Sequence, residues 1–211
     1  LSNAKRAIDC QTDTFISAIG LSPKDLTKQL GKDVIDNLRQ FISNTEQPLK
    51  FRVLESLGIV TPAIVSRVRR IRDLLEHQYK KPSTSAVRAA IDVSSLYVSA
   101  CEGALNTFLD AIYFESLDAL DRDDGRLGDR AFKIELGWRP QGLEVTYSNS
   151  TSRERAARCI RPTEAGYLAW LRVLFFIRAE DDIEKAITLT ASMSGYPLEA
   201  KNIKIKLIRY P

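Results

Sequence analysis

Residues 83–114 read STSAVRAAIDVSSLYVSACEGALNTFLDAIYF, and their periodicity decides the class of the fold. Val87, Ile91, Ser94, Val98, Cys101, Leu105, Phe108 and Ile112 recur at alternating steps of four and three. That is helical spacing, and only Ser94 interrupts the apolar seam. The spacing predicts one long helix from residues 83–85 to about residue 114. Pro82 separates it from the preceding segment, because the residue before a proline avoids helical geometry. A helix with so long a seam needs helical neighbours to cover it.

The segments on the N-terminal side supply those neighbours. Ser22-Pro23 is a helix start, a capping residue followed by proline at the first helical position. Residues 33–44 carry Val34, Ile35, Leu38, Phe41 and Ile42 at helical spacing. Residues 48–59 predict another helix, with Phe51, Leu54 and Leu57 inward. Thr61-Pro62 repeats the cap-proline signal and opens a helix to about Tyr79. A bundle is therefore expected over residues 1–116.

The composition then changes. Residues 117–130 are acidic, carry Gly125 and Gly128, and read as a loop or linker. Residues 131–211 read as a small α+β part. Phe132, Ile134 and Leu136 alternate with Lys133 and Glu135, and Leu143, Val145 and Tyr147 alternate with Glu144 and Thr146. The turn signals from Gly137 to Gly142, with Pro140 among them, make these a β-hairpin. Helices are expected over residues 162–178 and 182–190. Ile203, Ile205 and Leu207 then alternate with Lys204 and Lys206 as a strand that joins the hairpin. The expected fold class is mostly α, an antiparallel helical bundle with a small C-terminal α+β appendage.

Bulk properties narrow the function classes. The 211 residues are 44% hydrophobic and 27% charged, an ordinary globular balance. A net charge of +4 permits a nucleic-acid partner without demanding one. Three widely spaced cysteines form no metal pattern or disulfide framework, which favours a reducing compartment and a cytoplasmic location. The longest apolar stretch, residues 167–177, is too short to span a bilayer and contains Arg172, so no membrane role is expected. No signal-peptide pattern opens the chain. There is no initiator Met, so the chain reads as a trimmed piece; Ser2-Asn3-Ala4 is similar to a cloning scar, but Leu1 before it fits that pattern poorly.

The chemistry concentrates in residues 67–79, RVRRIRDLLEHQY. At about 100° per residue, Ile64, Val68, Ile71 and Leu75 form one apolar stripe facing the bundle. Arg69, Asp73 and His77 lie four apart on the opposite face, with Arg70 beside them and Arg72 at the flank. His77, the single histidine, therefore projects outward beside an acid and several arginines. An unperturbed histidine titrates near pH ~6.5, so modest shifts decide its charge at neutral pH. The helix C-terminus, Asp73 and Glu76 favour the charged form, while Arg70 and Arg72 oppose it. Imidazole beside guanidinium suits phosphodiester chemistry: one moves a proton, the other holds phosphate and stabilises its developing charge.

Arg72, four intervening residues, then His77, Gln78 and Tyr79 form R-x4-H-x-Y. This resembles the R-x4–6-H motif of the HEPN superfamily of small helical domains, in which a polar residue commonly follows the arginine, as Asp73 does here. The H-x-Y ending resembles HEPN toxins paired with minimal nucleotidyltransferases. The resemblance covers roughly residues 30–116 and leaves the β-containing part unexplained. It implies a HEPN-like bundle, a homodimer, and metal-independent RNA cleavage by attack of the 2′-hydroxyl on the adjacent phosphate. It implies that Arg72 binds phosphate, His77 acts as acid or base, Asp73 orients the site, and Tyr79 is accessory or modifiable. RNA and an antitoxin or defence protein are the implied partners, and neither cofactor nor metal is implied. Arg69 and Arg70 are weaker candidates for nucleic-acid contact. A non-catalytic HEPN-like dimerisation or interaction module, binding protein, nucleotide or nucleic acid, is the alternative.

Other features read more plainly. Arg153, Arg155, Arg158 and Arg161 form a second basic run that reads first as a solvated surface. Asp121, Asp123 and Asp124 do not have the spacing of a calcium loop. Ser94 and Ser95 have no acid–base partner in the sequence, so no serine nucleophile is expected. Trp138 and Trp170 are expected to pack, with Trp138 the more exposed, in the hairpin turn.

Overall fold

A computed structural model describes residues 2–40, 42, 46–60, 63–64, 66–67, 70, 81–106, 111–116, 132–139, 141–149, 154–164, 166–176 and 203–208. The chain divides into two compact units, Leu1–Thr107 and Phe108–Pro211. More of the described chain is helical than extended.

The first unit is helical throughout its described elements. They are α1 (Ser2–Ala18), α2 (Leu26–Asn37) with a 3-10 turn at Leu38–Gln40, α3 (Leu49–Ser56) and α4 (Thr84–Asn106). α1 buries Ala4, Ile8, Thr12, Phe15 and Ile16, one face at helical spacing that Ile19 continues in the turn beyond it. α2 starts one turn later than Ser22-Pro23 predicts. The Asp25 N–H donates to Ser22 Oγ at 3.3 Å, so Ser22 caps a turn that precedes the helix. α2 also leaves helical geometry at Gly31 (φ 68°), two residues before the helix expected over residues 33–44, and passes into the 3-10 turn after Asn37. α3 falls within residues 48–59 as expected. It ends where Gly58 takes φ 73° and the Ile59 N–H reaches back to Leu54 O at 3.0 Å.

α4 begins as predicted, with the Ala86 N–H donating to Ser83 Oγ at 3.2 Å. Its buried stripe is Ala90, Ser94, Tyr97, Cys101 and Ala104, again in steps of four and three. This corrects the predicted seam. Ser94 and Cys101 belong to both stripes, but Ile91 is 51% exposed while Ala90 is fully buried. Small side chains let α1 and α4 approach closely, and a single large one, Tyr97, fills the space between them. The Thr12 hydroxyl donates to Ile8 O at 2.7 Å, so the Tyr97 hydroxyl donates to Thr12 Oγ1 at 2.6 Å. Phe51 of α3 meets the Tyr97 ring edge-on, with centroids 6.4 Å apart at 74°.

The end of α4 is a second correction. The helix stops at Asn106 rather than near residue 114, and Ala111–Ser116 is strand β1. Ile112 therefore pairs with Leu136 and Leu207 in a sheet and does not extend a helical seam. A short apolar run rich in aromatic and β-branched residues fits either periodicity, and here the sheet contacts decide it. The first unit thus ends near residue 107, not 116.

The second unit is larger in β structure than the expected appendage. β2 (Phe132–Arg139), β3 (Gly142–Asn149), β4 (Glu154–Ile160) and β5 (Ile203–Ile208) join β1 in an antiparallel sheet of order β4-β3-β2-β1-β5. The predicted hairpin is β2–β3, but its strands run further than expected, and Arg139 pairs with Gly142 across a two-residue turn. Trp138 is therefore a half-buried strand residue rather than a turn residue. β5 joins the sheet through β1 and not through the hairpin. The second basic run contributes to β4, an element not anticipated from its composition.

α5 (Tyr167–Phe176) contacts β3 and is buried on almost every side, Arg172 being only half-buried. Together with Leu136, Leu143, Val145 and Ile160 it forms the core of this unit. It begins after a turn in which the Arg161 N–H donates to the Glu164 carboxylate at 3.0 Å, later than the expected start at residues 162–163. The expected linker at 117–130 and helix at 182–190 lie outside the described residues. Among the described residues no helix is long and apolar enough to cross a membrane.

Gly142 holds β3 against β4. A Cβ there would lie 2.5 Å from Ile160 O and 3.2 Å from Cys159 Sγ. Gly142→Ala is expected to cost about 3 kcal/mol, since backbone must move to admit the methyl group. Both tryptophans, Trp138 and Trp170, lie in this unit, so their fluorescence during urea unfolding reads the loss directly.

Candidate functional site

Two places carry the chemistry. The first is the arginine-rich segment of the helical unit. Ala63, Ile64, Ser66, Arg67 and Arg70 are helical, as Thr61-Pro62 predicts. Ile64 is half-buried, whereas Arg67 and Arg70 are exposed, so this turn faces as its polarity requires. Lys81 is exposed and Ser83 caps the next helix after Pro82. Arg69, Arg72, Asp73, His77 and Tyr79 lie outside the described residues, so of the proposed site residues the structure locates Arg70 alone.

The second place is a groove of about 390 Å³ in the β unit, lined by Arg139, Gln141, Glu144, Ala157, Arg158 and Cys159. Strand register explains why they meet. Glu144 pairs with Cys159, and Val145 with Arg158. Side chains alternate between faces, so Arg139, Glu144, Ala157 and Cys159 share the face opposite the buried Leu143 and Val145. Arg158 rises from the other face at the rim of the edge strand β4. The groove therefore wraps the β4 edge of the described sheet.

Both guanidiniums are oriented. Arg139 Nη1 donates to Trp138 O at 2.9 Å, and Arg139 Nε lies 3.6 Å from the Glu144 carboxylate. Arg158 Nη2 donates to Glu164 at 2.6 Å. The Arg161 N–H, and then the Arg158 side chain, hold the Glu164 carboxyl below its ordinary range. A depressed carboxyl keeps its contribution above the unfolded-state value and loses it as pH falls through the folded one. The Arg158–Glu164 bridge is thus intact at neutral pH and opens only under acid conditions. Sequence reasoning had singled out Arg158 but not Arg139, Gln141, Glu144 or Cys159. Their meeting depends on a pairing register that composition does not reveal.

Cys10, Cys101 and Cys159 form no disulfide, and among the described residues no cluster of His, Cys, Asp or Glu could hold a metal ion. No protein-family model matches the chain, and no curated protein or solved structure matches it either.

Proposed function

We propose that the chain is a metal-independent endoribonuclease of the HEPN type, a toxin or defence effector that works as a homodimer. The observation that supports this reading is that Arg67 and Arg70, just before R-x4-H-x-Y in the sequence, are helical and exposed. Seven residues are close to two helical turns, so on a continuous helix His77 stands nearly in line with exposed Arg70. The chemistry follows from the residue types. His77 takes the proton of a ribose 2′-hydroxyl, whose oxygen attacks the neighbouring phosphorus. Arg72 holds the phosphate and the charge that grows on it. The P–O5′ bond breaks, the leaving oxygen takes a proton, and a 2′,3′-cyclic phosphate remains. Asp73 orients the pair, and Tyr79 is accessory.

The test is cleavage of a mixed RNA pool with chelator present, comparing wild type with His77→Ala. Cyclic-phosphate ends from wild type alone support the reading. Equal cleavage by both removes His77 from the chemistry. No cleavage by either folded, dimeric protein favours the second reading, a non-catalytic binding module, for which the charged groove of the β unit is the supporting observation.

A further inference from the structure

We propose that the groove at the β3–β4 edge binds single-stranded RNA, with Arg139 and Arg158 on its phosphates and Glu144 and Gln141 on sugar or base groups. The inference rests on the ribonuclease reading only for its choice of RNA among phosphodiesters; the groove itself is independent of the His77 motif.

Three features support it. The first is unused donor capacity. A guanidinium offers five N–H groups. Arg158 uses Nη2 on Glu164, and Arg139 uses Nη1 on Trp138 O, while its Nε lies too far from Glu144 for a good hydrogen bond. The remaining donors are open, since the two side chains are 66% and 49% exposed. The second is preorganisation. The Trp138 carbonyl already holds the Arg139 head and the Glu164 carboxylate the Arg158 head, so less side-chain entropy is lost when phosphate binds. The third is the mixture of groups. Two guanidiniums line the groove, each with one carboxylate beside it, Glu144 near Arg139 and Glu164 on Arg158, so the groove offers donors for a phosphate and, in Glu144, a strong acceptor. Bare phosphate has no use for that acceptor, whereas a nucleotide presents hydroxyl or amino donors beside its phosphate. A volume of about 390 Å³ is near the lower end of the roughly 300–1,000 Å³ of small-ligand sites, enough for one nucleotide of a strand that continues across the edge.

The experiment is fluorescence anisotropy with a labelled single-stranded oligouridylate over a salt series, using the full-length His77→Ala chain so that the probe survives. The double variant Arg139→Gln/Arg158→Gln is expected to bind roughly tenfold more weakly at low salt, and the slope of log K against log salt should flatten by about 1.4. Glu144→Gln should move the other way and tighten binding, because it removes the one negative charge lining the groove. Both effects together, with unchanged circular dichroism, establish the site. Unchanged affinity and slope in the double variant overturn it. That result beside a cleaving wild-type chain leaves the ribonuclease reading intact. Groove-dependent binding by a wild-type chain that does not cleave removes the ribonuclease reading and keeps the groove.

Discussion

Tyr97→Ala should lower the stability of the helical unit by about 4 kcal/mol, within the usual range for deleting a buried aromatic ring. Tyr97 is fully buried and holds three elements together: its stem belongs to α4, its ring meets Phe51 of α3, and its hydroxyl donates to Thr12 of α1. The alanine removes the ring, leaves a cavity between close-packed helices and takes away a partner of buried Thr12. For a unit of about 100 residues the melting temperature should fall by roughly 20 °C. Tyr97→Phe keeps the ring and loses only the hydroxyl, so it should cost about 1 kcal/mol. Urea unfolding followed by far-ultraviolet circular dichroism separates the two. Equal costs for both variants would mean that the hydroxyl, not the ring, is the joint.

Burial also pushes the Tyr97 phenol well above its ordinary value, and burial acts the same way on Tyr167 of α5. A raised phenol contributes stability that is complete below the unfolded-state value of about 10 and is lost as pH rises above it. Alkaline destabilisation should therefore begin near pH ~10 and be weaker in Tyr97→Phe.

The sequence made the local structure of this chain more legible than its pairing. Caps, prolines and periodicity located α3 and the start of α4 because those signals act within a few residues. They misplaced the buried face of α4 because Ala90 and Ala104 carry little hydrophobic signal, although small residues are what a close helix approach requires. The strands β1 and β4 went unread for a related reason. Ala111–Ser116 follows a strong helical seam, and Glu154–Ile160 carries arginines that read as plain surface. Each is a strand by virtue of its neighbours, β2 and β5 in one case and β3 in the other. The RNA groove shares this origin, since Glu144 and Cys159 are fifteen positions apart in sequence and adjacent only through register. The R-x4-H-x-Y motif is the opposite case. Its residues are close in sequence, so the motif can be read from local spacing without any knowledge of strand pairing.

His77→Ala is the decisive change for that motif, with RNA cleavage expected to fall about 10³-fold, near the middle of the range for loss of a general acid or base. That corresponds to about 4 kcal/mol of transition-state stabilisation. Arg72→Ala should be similarly damaging, and Arg72→Lys should recover part of the loss, since ammonium keeps the charge but not the two-pronged geometry. The stronger test concerns where the two groups meet. If each site joins Arg72 of one protomer to His77 of its partner, mixing the two inactive variants creates heterodimers with one intact site. Random exchange should then restore about a quarter of wild-type cleavage, half the dimers being mixed and half their sites complete. A site contained within one chain would recover nothing on mixing, which would overturn the shared arrangement while leaving His77 and Arg72 in their roles.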